Sequence, residues 1–582
     1  MATPRFIVVG GGLAGLMATI RIAEKGFNVD LFSTVPVKRS HSVCAQGGIN
    51  AAKNLKGEGD SIWQHFDDTI YGGDFLANQP IVKRMCEAAP GIIDLFDRMG
   101  VTFNRTPEGL LDFRRFGGTR FHRTAFAGAT TGQQLIYALD EQVRRHEAAG
   151  LVTKYEGWEM LSGVIDNQGM GRGIVAMNMT TMETKSFPAE ATIMATGGIG
   201  LIFGRKSTNS MNCTGSAVSS LYQQGMLYAN GEFIQVHPTA IPGEDKLRLM
   251  SESARGEGGR LWVPRADKPG GRWYFLEEKY PKYGNLLPRD IATREIFQLC
   301  LDGYGVDGKM QVYLDVSHIP REVLERKLEG ILEIYEKFIG DDPHKVPMRV
   351  FPAMHYTMGG MWVDGEKLMS NIPGIFGAGE CNYQHHGANR LAANSLVSCV
   401  FDGMVCGDEA LNYAKGLKNG SGSVASTVFE TEVKRQNEIS EALWKADGKE
   451  SPYALWLEMG TLMSENCTVI RYNDRLKQNR DDLIQLQERC QNIHLDDQSR
   501  WSNQGFLFAR ALRNMLHLAR VINLGALLRN ESRGAHYKPE FPERNDAEWL
   551  KTTLARFENR EPRISYEPVD TSLLPPRQRK YD

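Results

Sequence analysis

Residues 5–15 read RFIVVGGGLAG, and this stretch decides the fold. Residues 5–9 are a short apolar run of the kind found in a buried parallel strand. Gly10, Gly12 and Gly15 then match G-x-G-x-x-G, with Leu13 and Ala14 between the last two. A helix is predicted from Leu16 to Lys25, with Gly26 as its C-cap. VDLFS at 29–33 predicts the next strand. Strand, glycine turn, helix and strand in this order are the context in which the motif is specific. Glycines there let backbone N–H groups approach a pyrophosphate at a helix N-terminus.

The second strand of such a unit ordinarily ends on an acidic residue that holds a ribose. Here that place is Ser33, with Asp30 inside the strand, so specificity for NAD has no support. Two later segments, ATIMATGG at 191–198 and IPGIFGAGE at 372–380, also predict strands ending in glycines. Three glycine-ended strands placed so far apart predict a domain rebuilt from distant segments. FAD-binding domains are organised in this way. The stretch between about 237 and 351 then predicts a separate lid.

At 582 residues the chain exceeds one compact core, and three or four domains are expected. A net charge of −2 without a long basic block gives nucleic-acid binding little support. No apolar run approaches the ~20 residues that span a bilayer. The start, MATPRFIVVGGG, has no leader pattern, so export is not expected. Nine cysteines without a Cys-x-x-Cys pair argue against a disulfide framework, a zinc site or an iron–sulfur cluster. No metal site is predicted.

From about residue 420 to 530 glycine thins out. Leu507, Ala511, Met515, Leu518 and Ile522 fall on one helix face, predicting a helical bundle against the nucleotide-binding part. Residues 529–545, RNESRGAHYKPEFPERN, are polar and turn-rich. The closing PPRQRKYD is expected to be an extended arm with solvated basic residues.

Several motifs together resemble one family. They are RSHSVCAQGG at 39–48, HFDDTIYGGDFLANQP at 65–80, FGG at 116–118, HPT at 237–239 and SESARGEGG at 251–259. PRDIATR at 288–294, HYTMGG at 355–360, GAGE at 377–380 and HGANRLAANSL at 386–396 complete the set. Nearly the full length resembles the flavoprotein subunit of succinate dehydrogenase or fumarate reductase. The wording is similar to the branch of Gram-positive bacteria and relatives that pairs this subunit with a single cytochrome b.

The resemblance implies an α/β fold: a Rossmann-like FAD-binding domain (1–236 with 352–415) and an inserted α+β capping domain (237–351). A helical domain (416–540) and a C-terminal extension (541–582) follow. It implies FAD bonded covalently through His41, because an alkylated ring is the stronger oxidant that a saturated carbon pair requires. FAD contacts are expected from Gly10, Gly12, Leu13, Ala14, Gly15, Ser33, Lys38, Arg39, Ser40, Gln46, Gly47 and Gly48. Thr196, Gly197, Ser216, Glu380, Ser395 and Leu396 extend that set. Many relatives carry Asp where Ser216 stands.

For a four-carbon dicarboxylate the resemblance implies His237, Ser251, His355 and Arg390 as donors, with Phe116 packed beside the substrate. Arg390 suits a bidentate grip on a carboxylate. Arg289, carried on the lid, is implied as the proton acceptor, with Glu252 and Arg255 as its relay. A guanidinium is an unusual base, and the alternative is that Arg289 pins a carboxylate and stabilises developing charge. The implied partners are an iron–sulfur subunit and a membrane cytochrome b that exchanges electrons with a quinone. The subunit would be peripheral, on the cytoplasmic face of the cell membrane. Fumarate reduction is the reverse reading. L-aspartate oxidase, which normally lacks the flavin-linking histidine, and a non-catalytic escort of prenylated GTPases are the rivals on the same scaffold.

Overall fold

A computed structural model describes residues 4–243 and 247–581. The first three residues and Asp582 of the closing PPRQRKYD lie outside the described residues. The opening stretch forms strand β1 (Arg5–Val9), helix α1 (Leu13–Ala23) and strand β2 (Asn28–Ser33). The helix starts at Leu13, inside the glycine motif and three residues before the expected start, with Gly12 as its N-cap. Its first free N–H groups therefore face the turn itself.

β1 is the middle of a five-stranded parallel sheet ordered 375–377, 191–194, β1, β2, 152–156. Both later glycine-ended segments supply strands of this sheet, shorter than expected, at Ala191–Met194 and Ile375–Gly377. Four of the five β1 residues are buried, as a sheet covered on both faces requires. The long helix Asn394–Gly416 packs against α1 on one face.

A second sheet has six antiparallel-paired strands, ordered 248–249, 234–241, 348–357, 312–315, 260–264, 272–273. Its strands Ile234–Ile241 and Met348–Thr357 carry the chain out of the nucleotide-binding body and back. It has its own apolar cluster, including Leu261, Val263, Leu276, Ile296, Leu314 and Val350. The helix Arg289–Leu299 lies on this sheet.

The helices Ser426–Trp444, Pro452–Asn466, Asn473–Arg489 and Gln504–Leu528 do not have a separate core. Leu443, Met459, Leu483 and Phe506 belong to the same apolar cluster as Ile7 and Val8 of β1. Leu507, Ala511, Met515, Leu518 and Ile522 are all buried.

The last sixty residues hold two features that composition does not show. The polar, turn-rich run from 529 does not leave its charges in water. Arg529, Glu531, Arg533, His536 and Lys538 are buried. Arg529 reaches Glu232 at 2.8 Å and Glu531 at 2.9 Å, and Arg533 reaches Glu531 at 2.8 Å. Charges are buried where each finds a partner, and composition does not reveal the pairing. Nor is the closing segment a plain arm with solvated basic residues. Lys551–Glu558 and Glu561–Pro568 form a hairpin that extends a sheet with Tyr228–Ala229 and Gly360–Met361. Beyond it, Arg577 pairs with Asp67 at 2.6 Å and Arg579 with Asp290 at 2.7 Å, and Tyr581 is buried. Among the described residues no helix is long and apolar enough to cross a membrane.

Candidate active site

A cavity of about 660 Å³ runs from the C-terminal ends of β1 and β2 to the six-stranded sheet. Ligands of open parallel sheets bind at this edge. Its near end is built largely from backbone. Gly10 has φ +118°, and a Cβ there would lie 2.1 Å from the Ala195 carbonyl oxygen. Gly12, Leu13, Ala14 and Ser33 line this end. Gly15 does not. It stands behind the wall, where a Cβ would meet the Gly10 carbonyl at 1.8 Å, so it sets how closely helix and strand pack.

The run after β2 makes two short 3₁₀ turns, Val37–Arg39 and His41–Cys44. Ser40, His41, Gln46, Gly47 and Gly48 line the cavity. Lys38 and Arg39 are not brought to it. The Lys38 ammonium pairs with Asp140 at 3.4 Å and Glu141 at 3.3 Å, and Arg39 is exposed. Only Val37 of that turn is buried, so both basic side chains point outward. Opposite, Thr196, Gly197, Ser216, Glu380, Ser395 and Leu396 complete the wall. Ser216 Oγ accepts a hydrogen bond from Asn514 at 2.8 Å, so the long helix Gln504–Leu528 supports this end.

Ser40 Oγ, Gln46 Oε1 and Thr196 Oγ1 are buried without a hydrogen-bond partner among the described residues. Orphaned polar atoms beside a glycine-lined turn fit a dinucleotide. Burial raises the Glu380 carboxyl to about 7 against the Thr357 N–H, which donates to it at 3.0 Å.

The far end is built from charged side chains. Glu252 is its hub. Arg289 donates through Nε to Glu252 Oε2 at 2.7 Å, and Arg255 donates to Oε1 at 2.9 Å. The Gly117 N–H donates to Oε1 at 2.9 Å. Burial opposes the Glu252 charge, but Arg289 and Arg255 hold its carboxyl below the ordinary value. Arg255 sits behind Glu252 and does not line the cavity. Its other contact is the Asn285 carbonyl at 2.8 Å.

His237 and His355 lie on the two strands that join the nucleotide-binding body to the six-stranded sheet, with ring centroids 5.0 Å apart. His237 Nδ1 is 2.9 Å from the Thr239 carbonyl, and His355 Nδ1 is 2.8 Å from Thr208 Oγ1. Burial first, then Arg289, holds both imidazoles well below the usual histidine value. Arg390 is buried with its guanidinium 4.4 Å over the Tyr356 ring. It has no carboxylate partner among the described residues, and its Nε is unsatisfied. Burial and the nearby Arg289 push it down to about 9. Ser251 Oγ is 2.8 Å from Ser253 Oγ, and Phe116 packs over Gly47, where a Cβ would meet the ring at 2.9 Å.

Sequence reasoning missed three residues. Gln235 accepts from Arg289 Nη1 at 3.0 Å and donates to the Arg390 carbonyl at 2.8 Å. Asn389 receives a hydrogen bond from Gln235 at 2.9 Å. Glu159 lines the cavity two residues after Gly157, whose N–H donates to the Ser33 carbonyl at 2.8 Å. Burial raises the Glu159 carboxyl to about 7. Gln235 precedes the HPT motif by two residues and Asn389 lies within HGANRLAANSL, so adjacency was their only signal. Glu159 had none.

The FAD binding domain family matches residues 5–396, and the fumarate reductase flavoprotein C-terminal family matches residues 456–581. The succinate dehydrogenase flavoprotein subunit of Bacillus subtilis is 63% identical over 584 residues, covering 100% of this chain and 99% of that one. A fumarate reductase flavoprotein subunit from a Serratia species is 33% identical, covering 99% and 96%. A solved structure of Escherichia coli quinol fumarate reductase superposes with a TM-score of 0.92 at 32% identity, covering 99% and 98%. With a glycine-built dinucleotide cavity that opens onto a cationic pocket, and with identity along its whole length, the chain belongs to the succinate dehydrogenase/fumarate reductase flavoprotein family, a family of FAD-binding oxidoreductases.

Proposed function

We propose that this chain oxidises succinate to fumarate. One observation carries the reading: Arg390, buried and without a carboxylate partner, shares a wall with Arg289, His237 and His355. A buried unpaired charge is expensive, so the pocket calls for an anion. Glu252 already pairs with Arg255 and Arg289, which leaves Arg390 for a carboxylate of the substrate. In this reading Arg390 grips one carboxylate in bidentate fashion, while His237, Ser251 and His355 engage the other and Phe116 packs along the carbon chain.

Bound FAD supplies the two-electron acceptor for the hydride. Removal of the neighbouring proton falls to Arg289, whose guanidinium accepts it only as it passes its own Nε proton to Glu252 Oε2, 2.7 Å away. Arg255 on the other oxygen, at 2.9 Å, offers the way onward. The segment 237–351 acts as the lid that excludes water and carries Arg289 over the substrate. The His41 imidazole in the cavity wall is the attachment point for a covalent bond to FAD. In the reverse direction the same groups would serve fumarate reduction, the activity named for the Serratia relative.

The proposed partners are an iron–sulfur subunit and a membrane cytochrome b, with the chain peripheral on the cytoplasmic face. The Bacillus subtilis relative is named a flavoprotein subunit, which supports an assembly with other subunits, and the Escherichia coli structure is named a quinol fumarate reductase, which supports a link to a quinone. Two measurements test the reading. Yellow fluorescence should stay with the acid-precipitated, denatured band. A band without flavin would favour an L-aspartate oxidase-like or non-catalytic protein. The purified complex should reduce a high-potential dye with succinate, and failure to do so while flavin is bound defeats the proposal.

A further inference from the structure

The mechanism leaves unused a further guanidinium close to Arg289, that of Arg579, whose side chain is 8% exposed. Residue 290, next to Arg289 in the first turn of the helix Arg289–Leu299, is an aspartate whose side chain is fully buried. Its carboxylate does not face the cavity. Arg579, from the segment after the C-terminal hairpin, grips both its oxygens, with Nη1 at 2.7 Å from Oδ2 and Nη2 at 3.2 Å from Oδ1. Asn389 donates to Oδ1 at 3.1 Å, and Arg294 stands 3.9 Å from Oδ2.

These contacts close a ring. Arg289 binds Gln235, Gln235 binds Asn389 and the Arg390 carbonyl, and Asn389 binds Asp290. The ring thus ties the backbones that carry Arg289 and Arg390, two of the three arginines that line the cavity. Arg579 fastens it from outside to the nucleotide-binding body. Its Nη1 also lies 3.5 Å from Asp74, which Arg544 and the Gly534 N–H hold at 2.8 Å and 2.9 Å.

The segment bearing Arg579 is itself fixed. The Leu573 and Leu574 N–H groups donate to Gln79 Oε1 at 2.8 Å and 2.7 Å. The Tyr581 ring is buried between Tyr71 of the body and Tyr283 of the lid, at centroid distances of 5.5 Å and 5.1 Å. Tyr581 also belongs to the apolar cluster of the lid, although most of its segment lies on the body.

We propose that Arg579 is a positioning residue for the reaction: through Asp290 it sets the place of Arg289 relative to Arg390, and the segment around it clamps lid to body. This rests on the reading of Arg289 and Arg390 given above. The two arginines must act on one small substrate, and a misplacement of about 1 Å costs on the order of a hundredfold in rate. A bidentate guanidinium grip fixes a carboxylate in angle as well as distance, which an ammonium does not reproduce.

The test uses the assembled complex with Arg579→Gln, Arg579→Lys, the double variant Arg579→Gln/Asp290→Asn and the control Arg577→Gln. The double variant avoids leaving a buried, unpaired carboxylate that could unfold the chain. With bound flavin at the wild-type level, Arg579→Gln and the double variant should lose about tenfold or more in succinate kcat, with a smaller change in KM. Arg579→Lys should recover part of the loss, and Arg577→Gln should match wild type. Backbone amides of residues 285–295 should exchange hydrogen faster in both Gln variants and not in the control. Wild-type kcat and KM in the double variant would overturn the proposal, as would a loss of activity only in proportion to lost flavin. If the wild-type complex fails to oxidise succinate, the functional reading falls, and the exchange result still decides the clamp.

Discussion

The two ends of the cavity recognise their ligands by opposite means. The nucleotide end is largely a backbone device of glycines, a helix start and strand ends. The far end, the proposed substrate site, is a side-chain device. His237, Glu252, Arg255, Arg289, His355 and Arg390 are all held by hydrogen bonds or rings from other segments. A backbone site fails when a Cβ is added. A side-chain site fails when a terminal atom is moved. The difference also sets what is legible: the first is written in consecutive residues, and the second is spread from residue 116 to residue 390.

The contrast can be broken most severely at Arg289. Arg289→Ala should lower succinate turnover by about 10³-fold, within the range for losing a general acid–base group, while flavin stays bound. Arg289→Lys tests both roles at once, since wild-type-like turnover across pH would exclude proton transfer and charge stabilisation alike. Next comes the nucleotide end. Gly10→Ala should yield protein that binds little flavin, because the added carbon meets the Ala195 carbonyl at a positive φ. Normal flavin content in that variant would contradict the backbone account.

Arg390→Lys should leave flavin binding intact and lower kcat/KM by about 10- to 100-fold, the worth of one charged hydrogen bond. An unchanged KM with intact kcat would remove Arg390 from the substrate site.

The smallest effect is expected at Glu159, the one acidic residue at the nucleotide end that the sequence did not mark. Its carboxyl is raised from 4.5 to about 7 in the folded protein. Below pH 4.5 it is protonated whether folded or not, so it has no pH-dependent effect there. Between these values the unfolded chain releases the proton and the folded chain keeps it, and the folded state loses stability as pH rises. Glu159→Gln should therefore raise the melting temperature at pH 8 and leave it unchanged at pH 4. An equal gain at both values would refute that burial cost.

The strand–turn–helix–strand start was legible because each element is local: apolar run, glycines at fixed offsets, helical periodicity. Even there the helix begins three residues early, inside the motif, because periodicity does not register a glycine N-cap. The candidate substrate residues were legible only through motif resemblance, and the structure brings His237, Ser251, Glu252, Arg289, His355 and Arg390 to one cavity. Lys38 and Arg39 share a motif with His41 yet face acidic residues or solvent, because a short turn aims neighbouring side chains in different directions.

By itself, the sequence determined the parallel α/β sheet, the glycine cradle and the helical face from Leu507 to Ile522, since all three follow from spacing along a few consecutive turns or strands. Tertiary structure alone decided that the helices share the core of the sheet, that the polar run at 529–538 is buried, and that Arg579 reaches Asp290. Pairing of charges across hundreds of residues has no periodicity to betray it. A guanidinium that will be buried reads the same in the chain as one that stays in water.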